Sequence, residues 1–316
     1  MFEGFAHVWT PVTTADALGD RPLAVTVAGE KLALFRDGRG GVGALVDRCP
    51  HRGVALSLGT VTPAGCLACP FHGWEFDAAG QNVHVPFTPD AKREQLGAVA
   101  VPARELGGLL WVYTAPGATA PTEPSPPVSL TRTDLGHTYT VAEWATHWTR
   151  AMENMLDSPH VPFVHRATIG RDQRKRMTRD SRMTMRWEAT DFGGHIGMTL
   201  DDQPEVMLLE FHKPNLMLLK IPIPGRLFRM HAICVPVGPR ATRMIVVGAR
   251  DFATSSLLNP FFKKSNDKIL FEDQAVLESS EPPEVPPAGD ERSVASDRPT
   301  LQFRKYHFDV LKPSAA

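Results

Sequence analysis

Two short boxes of the chain combine thiol and imidazole side chains. Cys49-Pro50-His51-Arg52-Gly53 has the spacing C-x-H, and Cys69-Pro70-Phe71-His72-Gly73-Trp74 the spacing C-x-x-H. Each box offers one soft ligand and one imidazole from a tight turn, a set that suits a transition metal rather than a hard cation. Two thiolates on one iron and two imidazoles on the other make a mixed-ligand [2Fe–2S] centre, whose neutral histidines raise the reduction potential above that of an all-cysteine cluster. A Cys₂His₂ zinc site uses the same residue types. Zinc pairs usually repeat one residue type, as in C-x₂-C, so the mixed boxes favour iron–sulfur.

A second set lies in the segment from Glu153 to His165. His160 and His165 are five apart and do not share a face of a regular helix, but Pro159 and Pro162 interrupt the helix so that both imidazoles can turn inward. Two histidines and one distant carboxylate form the facial triad of non-haem Fe(II) oxygenases. Alone, such a pair is more often two unrelated histidines; the redox cluster in the same chain gives it weight.

Two motifs are decoys. Cys66 and Cys69 form C-x-x-C, but a redox dithiol should open a helix, whereas Pro70, Phe71 and Gly73 predict a strand and turn, with Cys66 a small buried thiol. Gly38-Arg39-Gly40-Gly41-Val42-Gly43 matches G-x-G-x-x-G, yet it runs through Ala44-Leu45-Val46-Asp47 into the first box without a helix. It reads as a hairpin, not a dinucleotide fingerprint. With no nicotinamide or flavin site in view, electrons must come from elsewhere.

The elements follow from periodicity. Residues 8–112 hold short β-type runs such as 23–27, 31–35 and 108–113. A Pro-rich, almost uncharged stretch marks the best boundary, giving residues 1–115, a linker at 116–130 and a second domain at 131–316. A helix is expected from about Glu143 to Leu156, where Trp144, Trp148, Met152 and Met155 recur at threes and fours. Strands follow near 183–187, 205–211, 216–221, 228–235 and 243–249, then a helix from Leu258 to Ser279. The fold class is α+β: an all-β domain followed by an antiparallel sheet with helices. The sheet methionines (Met183, Met185, Met198, Met207, Met217, Met230, Met244) are mostly core but would also suit an adaptable apolar pocket wall. His195, His212 and His231 could orient a polar group. Arg171, Arg174, Lys175, Arg176, Arg179 and Arg182 read as a solvated loop, or as a docking patch for an acidic ferredoxin.

Composition agrees. In 316 residues, 34 Lys and Arg balance 35 Asp and Glu, which calls for neither nucleic acid nor an anionic membrane as partner. No apolar run approaches the ~20 residues of a membrane span. Four cysteines, three of them clustered, argue for a metal in a reducing compartment, and the start Met1-Phe2-Glu3-Gly4-Phe5 lacks a signal-peptide pattern. A cytoplasmic location is expected.

Together the two constellations closely resemble the catalytic α subunit of Rieske non-haem iron oxygenases, nearest to the α-only monooxygenases and demethylases acting on dicamba, vanillate and pheophorbide a. The resemblance spans roughly residues 1–280. It implies Cys49, His51, Cys69 and His72 as cluster ligands and His160, His165 and Asp273 as iron ligands, with Glu272, Asp267 and Glu278 as alternatives for the carboxylate. It implies a catalytic role for Asp157, hydrogen-bonded to His160 and to His72 of the partner subunit, hence a homotrimer, and places Asn154 near the iron. A helix-grip-like second domain is implied, as are O₂ as co-substrate, a ferredoxin or flavin reductase as electron donor, and NAD(P)H only indirectly. The implied function is hydroxylation or oxidative demethylation of an aromatic or bulky hydrophobic small molecule. Ring cis-dihydroxylation, a Rieske-type electron carrier and a zinc-stapled binding protein are the alternatives.

Overall fold

Why the first box sits where it does follows from its neighbours: hydrophobic strands end at the turns that carry the cysteines. The computed structural model describes residues 1–117 and 119–312, so Ala118, inside the expected linker, and residues 313–316, at the end of the expected second domain, lie outside the described residues. Two units are resolved, 1–125 and 126–316.

In the first unit, β1 (Trp9–Thr14), β10 (Leu109–Tyr113) and β9 (Ala103–Leu106) form one antiparallel sheet. A second joins β2 (Leu23–Val27), β3 (Glu30–Arg36) and β4 (Val42–Val46), and a third joins β5 (Thr60–Val61), β6 (Leu67–Ala68), β7 (Glu75–Phe76) and β8 (Asn82–His84). The Gly-rich 38–43 segment forms the loop between the antiparallel β3 and β4 and the first two residues of β4, the loop being closed by Asp37 Oδ1 accepting from the N–H groups of Arg39 and Gly41. Cys66 and Cys69 flank β6, with no helix; Cys66 is half-buried rather than fully buried, while Leu67 and Cys69 enter the hydrophobic core.

The second unit is a seven-stranded antiparallel sheet in the order β11-β17-β16-β15-β14-β13-β12. The strands are β11 (Gly136–Trp144), β12 (Met183–Thr190), β13 (Gly193–Leu200), β14 (Val206–His212), β15 (Leu216–Lys220), β16 (Phe228–Gly238) and β17 (Ala241–Arg250). The short α1 (Val128–Thr131) precedes β11; α2 (Trp148–Leu156), α3 (Val161–Val164) and α4 (Arg171–Arg176) separate β11 from β12; α5 (Asn259–Leu277) and α6 (Arg298–Tyr306) follow the sheet.

The expected helix from Glu143 is shorter than its periodicity suggested. Residues 143–144 end β11, paired with Arg243 and Thr242 of β17, and the helix starts at Trp148 behind His147, whose ring accepts from Thr149 N–H. Trp144 is buried as a strand residue, so its apparent helical spacing to Trp148 is accidental.

Side chains alternate across the sheet. One face meets the helices: Thr140 Oγ1 accepts from Asn266 of α5, and Phe211 packs edge-on against Phe303 and Tyr306 of α6. By the strand register, Met185, Met198, Met217, Met230, Cys234 and Met244 share that face. Met207 does not. A bulge opposite Ile196 and Gly197 turns it to the other side, where its sulfur meets Arg186. His195, His212 and His231 also lie on that other face: His231 pairs with Ser129 of α1, while His195 and His212 flank Glu210.

Candidate functional site

The two cysteine boxes fold as near copies of each other. Cys49 N–H donates to Val54 O (2.8 Å) and Cys49 O accepts from Gly53 N–H (2.9 Å). Cys69 N–H donates to Trp74 O (2.8 Å) and Cys69 O accepts from Gly73 N–H (3.0 Å). Both closures need a residue with positive φ four positions after the cysteine, and both have glycine there, at +73° and +68°.

Both thiols lie in one hydrophobic cluster with Phe35, Leu45, Leu56, Leu67 and Phe76. The imidazoles lie further out: His51 is half-buried, His72 exposed, their ring centroids 4.7 Å apart. His51 stacks on Trp74 at 4.5 Å with the planes 3° apart, and its buried Nδ1 has no hydrogen-bond partner among the described residues. Burial, and then the adjacent Cys69, push the Cys49 thiol up to about 11, although the backbone N–H of His51 works the other way. Two crowded thiols and an orphaned ring nitrogen fit a metal cluster that takes thiolates and neutral imidazoles.

The second constellation grows from the end of α2. Pro159 stops that helix two residues past Asp157. Asp157 Oδ2 then accepts from both the backbone N–H (3.1 Å) and Nδ1 (3.2 Å) of His160. α3 is one turn long, with His160 at its start and His165 at its end, where the backbone leaves helical values. The rings face each other edge-on at 5.3 Å.

α5 brings two adjacent carboxylates to this turn. Asp273 Oδ1 lies 3.0 Å from His165 Nε2 and 3.6 Å from His160 Nε2. It is buried and makes a well-formed hydrogen bond with neither. One ligand atom from each of His160, His165 and Asp273 falls within 4.8 Å of the others. An unsatisfied buried carboxylate oxygen facing two ring nitrogens is costly unless a cation lies between them. Glu272 takes the opposite side of His165, accepting from Nδ1 at 2.8 Å and from the hydroxyl of Thr168. Burial opposes a charge on His165, but the facing carboxylates of Asp273 and then Glu272 outweigh it and hold the imidazole above its ordinary value.

The two other carboxylates that the sequence offered are engaged elsewhere. Asp267 pairs with Lys263 along α5, and Glu278 accepts from Ala145 N–H and Gln274. Asn154 sits in the last turn of α2 with its Nδ2 buried and without a partner among the described residues. The basic run is not all loop: its first four members lie on α4, and Arg174 stacks over the Phe163 ring at 5.2 Å.

Sequence reasoning missed two parts. Thr168 and Gly170 lock the turn after His165, whose carbonyl accepts from both backbone N–H groups. A buried ion-pair network ties α2 to the C-terminal segment: Arg304 meets Glu153 (2.5 Å) and Glu291 (2.6 Å), and Arg150 meets Glu291 (2.6 Å). These partners are over a hundred residues apart in several cases, so no local pattern announces them.

Comparison with known proteins gives a consistent picture. Residues 8–101 match the Rieske [2Fe-2S] domain and residues 144–312 the vanillate O-demethylase oxygenase C-terminal domain. The chain is 29% identical to the chloroplastic chlorophyllide a oxygenase of Chlamydomonas reinhardtii over 87% of its own length. It is 30% identical to methylxanthine N3-demethylase NdmB of Pseudomonas putida over 96% of this chain and 89% of that one. The structure of Pseudomonas putida CBB5 NdmA superposes with a TM-score of 0.81 at 25% identity, covering 95% of this chain and 89% of that chain. The aligned part makes up 43% of the algal protein, so the chain spans about half or less of such curated relatives.

Proposed function

This chain belongs to the Rieske-type non-haem iron oxygenases, and from that membership we propose that it is a terminal oxygenase component that hydroxylates or oxidatively demethylates an aromatic or hydrophobic small molecule. One observation carries the reading: the ring nitrogens of His160 and His165 converge on the buried, unsatisfied Asp273 Oδ1. An Fe(II) held there supplies, when bound, open positions at which dioxygen is reduced.

The chain's own residues prepare that chemistry. Cys49, Cys69, His51 and His72 would hold the [2Fe–2S] cluster. Asp157 and Glu272 each take the Nδ1 hydrogen of one histidine, which fixes the tautomer and leaves Nε2 free to face Asp273. Asp157 Oδ1 has no partner among the described residues and is available to His72 of the partner subunit, which suits the homotrimer that we infer from the family membership. Electrons come from a ferredoxin or flavin reductase, and NAD(P)H acts only through it. The exposed cations of α4 form its docking patch. Four free cysteines suit a reducing interior, and we place the protein in the cytoplasm. No helix among the described residues is long and apolar enough to cross a membrane.

The test is product analysis with a surrogate reductase and an aryl methyl ether. Formaldehyde and a phenol are expected. A cis-dihydrodiol would mean ring dihydroxylation instead, and a reducible cluster with no oxygenated product would mean an electron carrier.

A further inference from the structure

The two cysteine boxes share a backbone path but differ at the residue that closes each. Val54 O accepts from Cys49 N–H in the first box, and Trp74 O accepts from Cys69 N–H in the second. Trp74 therefore touches both boxes. Its carbonyl takes the Cys69 N–H, while its indole lies over the His51 imidazole at 4.5 Å with the planes 3° apart. The indole also packs against the hydrophobic cluster that holds both thiols. Valine has no ring to stack, and His72 gains no such cover. Its imidazole is exposed, tilted by 59° against His51, and lies beside the ring of Phe71, itself 59% exposed. One of the two imidazoles is sheathed and the other is bare.

We propose that Trp74 is a positioning residue that fixes the plane of His51 and, by keeping water from it, lowers the reduction potential of the cluster that His51 helps to hold. The inference rests on the oxygenase reading in that it takes the four box residues as cluster ligands. A parallel indole blocks rotation of the imidazole about its Cβ–Cγ bond. The buried Nδ1 of His51, which has no hydrogen-bond partner among the described residues, is thereby held in one direction. Charge gives the sign of the effect. Two ferric ions, two sulfides and two thiolates, with neutral imidazoles, sum to zero, and one added electron leaves a net negative charge. Water stabilises that charge, so a sheath over one ligand disfavours the reduced form. The bare His72 is left as the imidazole open to contact.

The test is an EPR-monitored redox titration of wild type, Trp74→Leu, Trp74→Phe and Phe71→Leu, with iron and sulfide counted in each. Trp74→Leu is expected to keep its sulfide and to shift the reduced-to-oxidised ratio at a fixed ambient potential about tenfold towards reduced, ~59 mV for one electron. Its EPR lines should broaden as His51 loses a single orientation. Trp74→Phe keeps a ring on His51 and should restore the narrow lines and most of the ratio. Phe71→Leu, next to the bare imidazole, should change the ratio by less than about twofold. Trp74→Met replaces Trp74→Leu if that variant takes up no cluster, and loss of the cluster from both while Trp74→Phe retains it supports the positioning role. A Trp74→Leu ratio within about twofold of wild type with unchanged lines overturns the proposal. So does a Trp74→Phe variant shifted as far as Trp74→Leu, or loss of the cluster from all three Trp74 variants. If wild type carries iron and sulfide and these shifts are missing, only this inference fails. If it carries neither, the oxygenase reading fails.

Discussion

His165 and Glu272 are joined by a 2.8 Å hydrogen bond from Nδ1 to Oε2, although 107 residues separate them. Glu272 immediately precedes Asp273 on α5, so one turn of one helix holds the same imidazole from both sides. The carboxylate on Nδ1 sets the tautomer, and the ring's other nitrogen is thereby presented to Asp273 at 3.0 Å. The two adjacent acids therefore do different work: Asp273 is placed to bind metal, Glu272 to aim the ligand.

Glu272→Ala should keep the fold but release the ring. The expected result is a tenfold to hundredfold (about) weaker affinity of the mononuclear site for Fe(II), with the cluster spectrum unchanged. Iron titration of the apo site measures it; equal affinity in variant and wild type would deny Glu272 its orienting role.

Asp157→Asn should leave both metal contents intact, because His160 keeps its own lone pair and a backbone contact. Turnover should drop by about a hundredfold, since the amide cannot take the ring hydrogen in the same way. Iron and sulfide assays alongside steady-state rates decide the point. A variant that turns over normally would show that the Asp157–His160 bond is structural only.

Gly170→Ala probes the packing that seats the histidine turn. A Cβ there would lie 2.0 Å from Val161 O, inside the backbone of α3 itself. We expect a loss of about 1–3 kcal/mol in stability and a lower iron occupancy of the second unit only. Thermal melts and iron counts check both halves; unchanged occupancy would mean that α3 can shift without disturbing its histidines.

Much of this was legible in the sequence, and the failures have physical reasons. The cysteine boxes could be read because four candidate ligands of two types and two loop glycines fall within about 25 residues, and local turns leave local patterns. β13 escaped notice because Gly193, Gly194 and Gly197 dilute its alternation, and Gly194 is required where the Trp187 ring presses on the strand. Asp273 could be singled out as a candidate carboxylate, but its neighbour's contact with His165 could not be foreseen. Glu272 and Asp273 differ only in which side of α5 meets His165, and that depends on how the helix docks.

The ion pairs behind α2 give a pH prediction. Hydrogen bonds from Arg150, and further from Arg304, outweigh burial and hold Glu291 down at about 2, below its ordinary 4.5. Its folded value is lower than its unfolded one, so the stabilisation is complete above about pH 4.5 and fades as pH falls towards 2. Glu291→Gln should therefore lower Tm by about 3–6 °C at pH 7, and by progressively less between pH 4.5 and 2. A Tm difference that stays constant across that range would show that the contact contributes through packing rather than charge.

The most direct measurement is the metal and sulfide content of wild type beside Asp273→Ala. The account predicts about three irons and about two acid-labile sulfides per chain in the wild type, with the EPR signal of a mixed-ligand [2Fe–2S] centre after dithionite. In Asp273→Ala it predicts the loss of about one iron, with sulfide and EPR signal unchanged. Retention of the third iron in that variant, or a wild type that holds zinc and no sulfide, would contradict it.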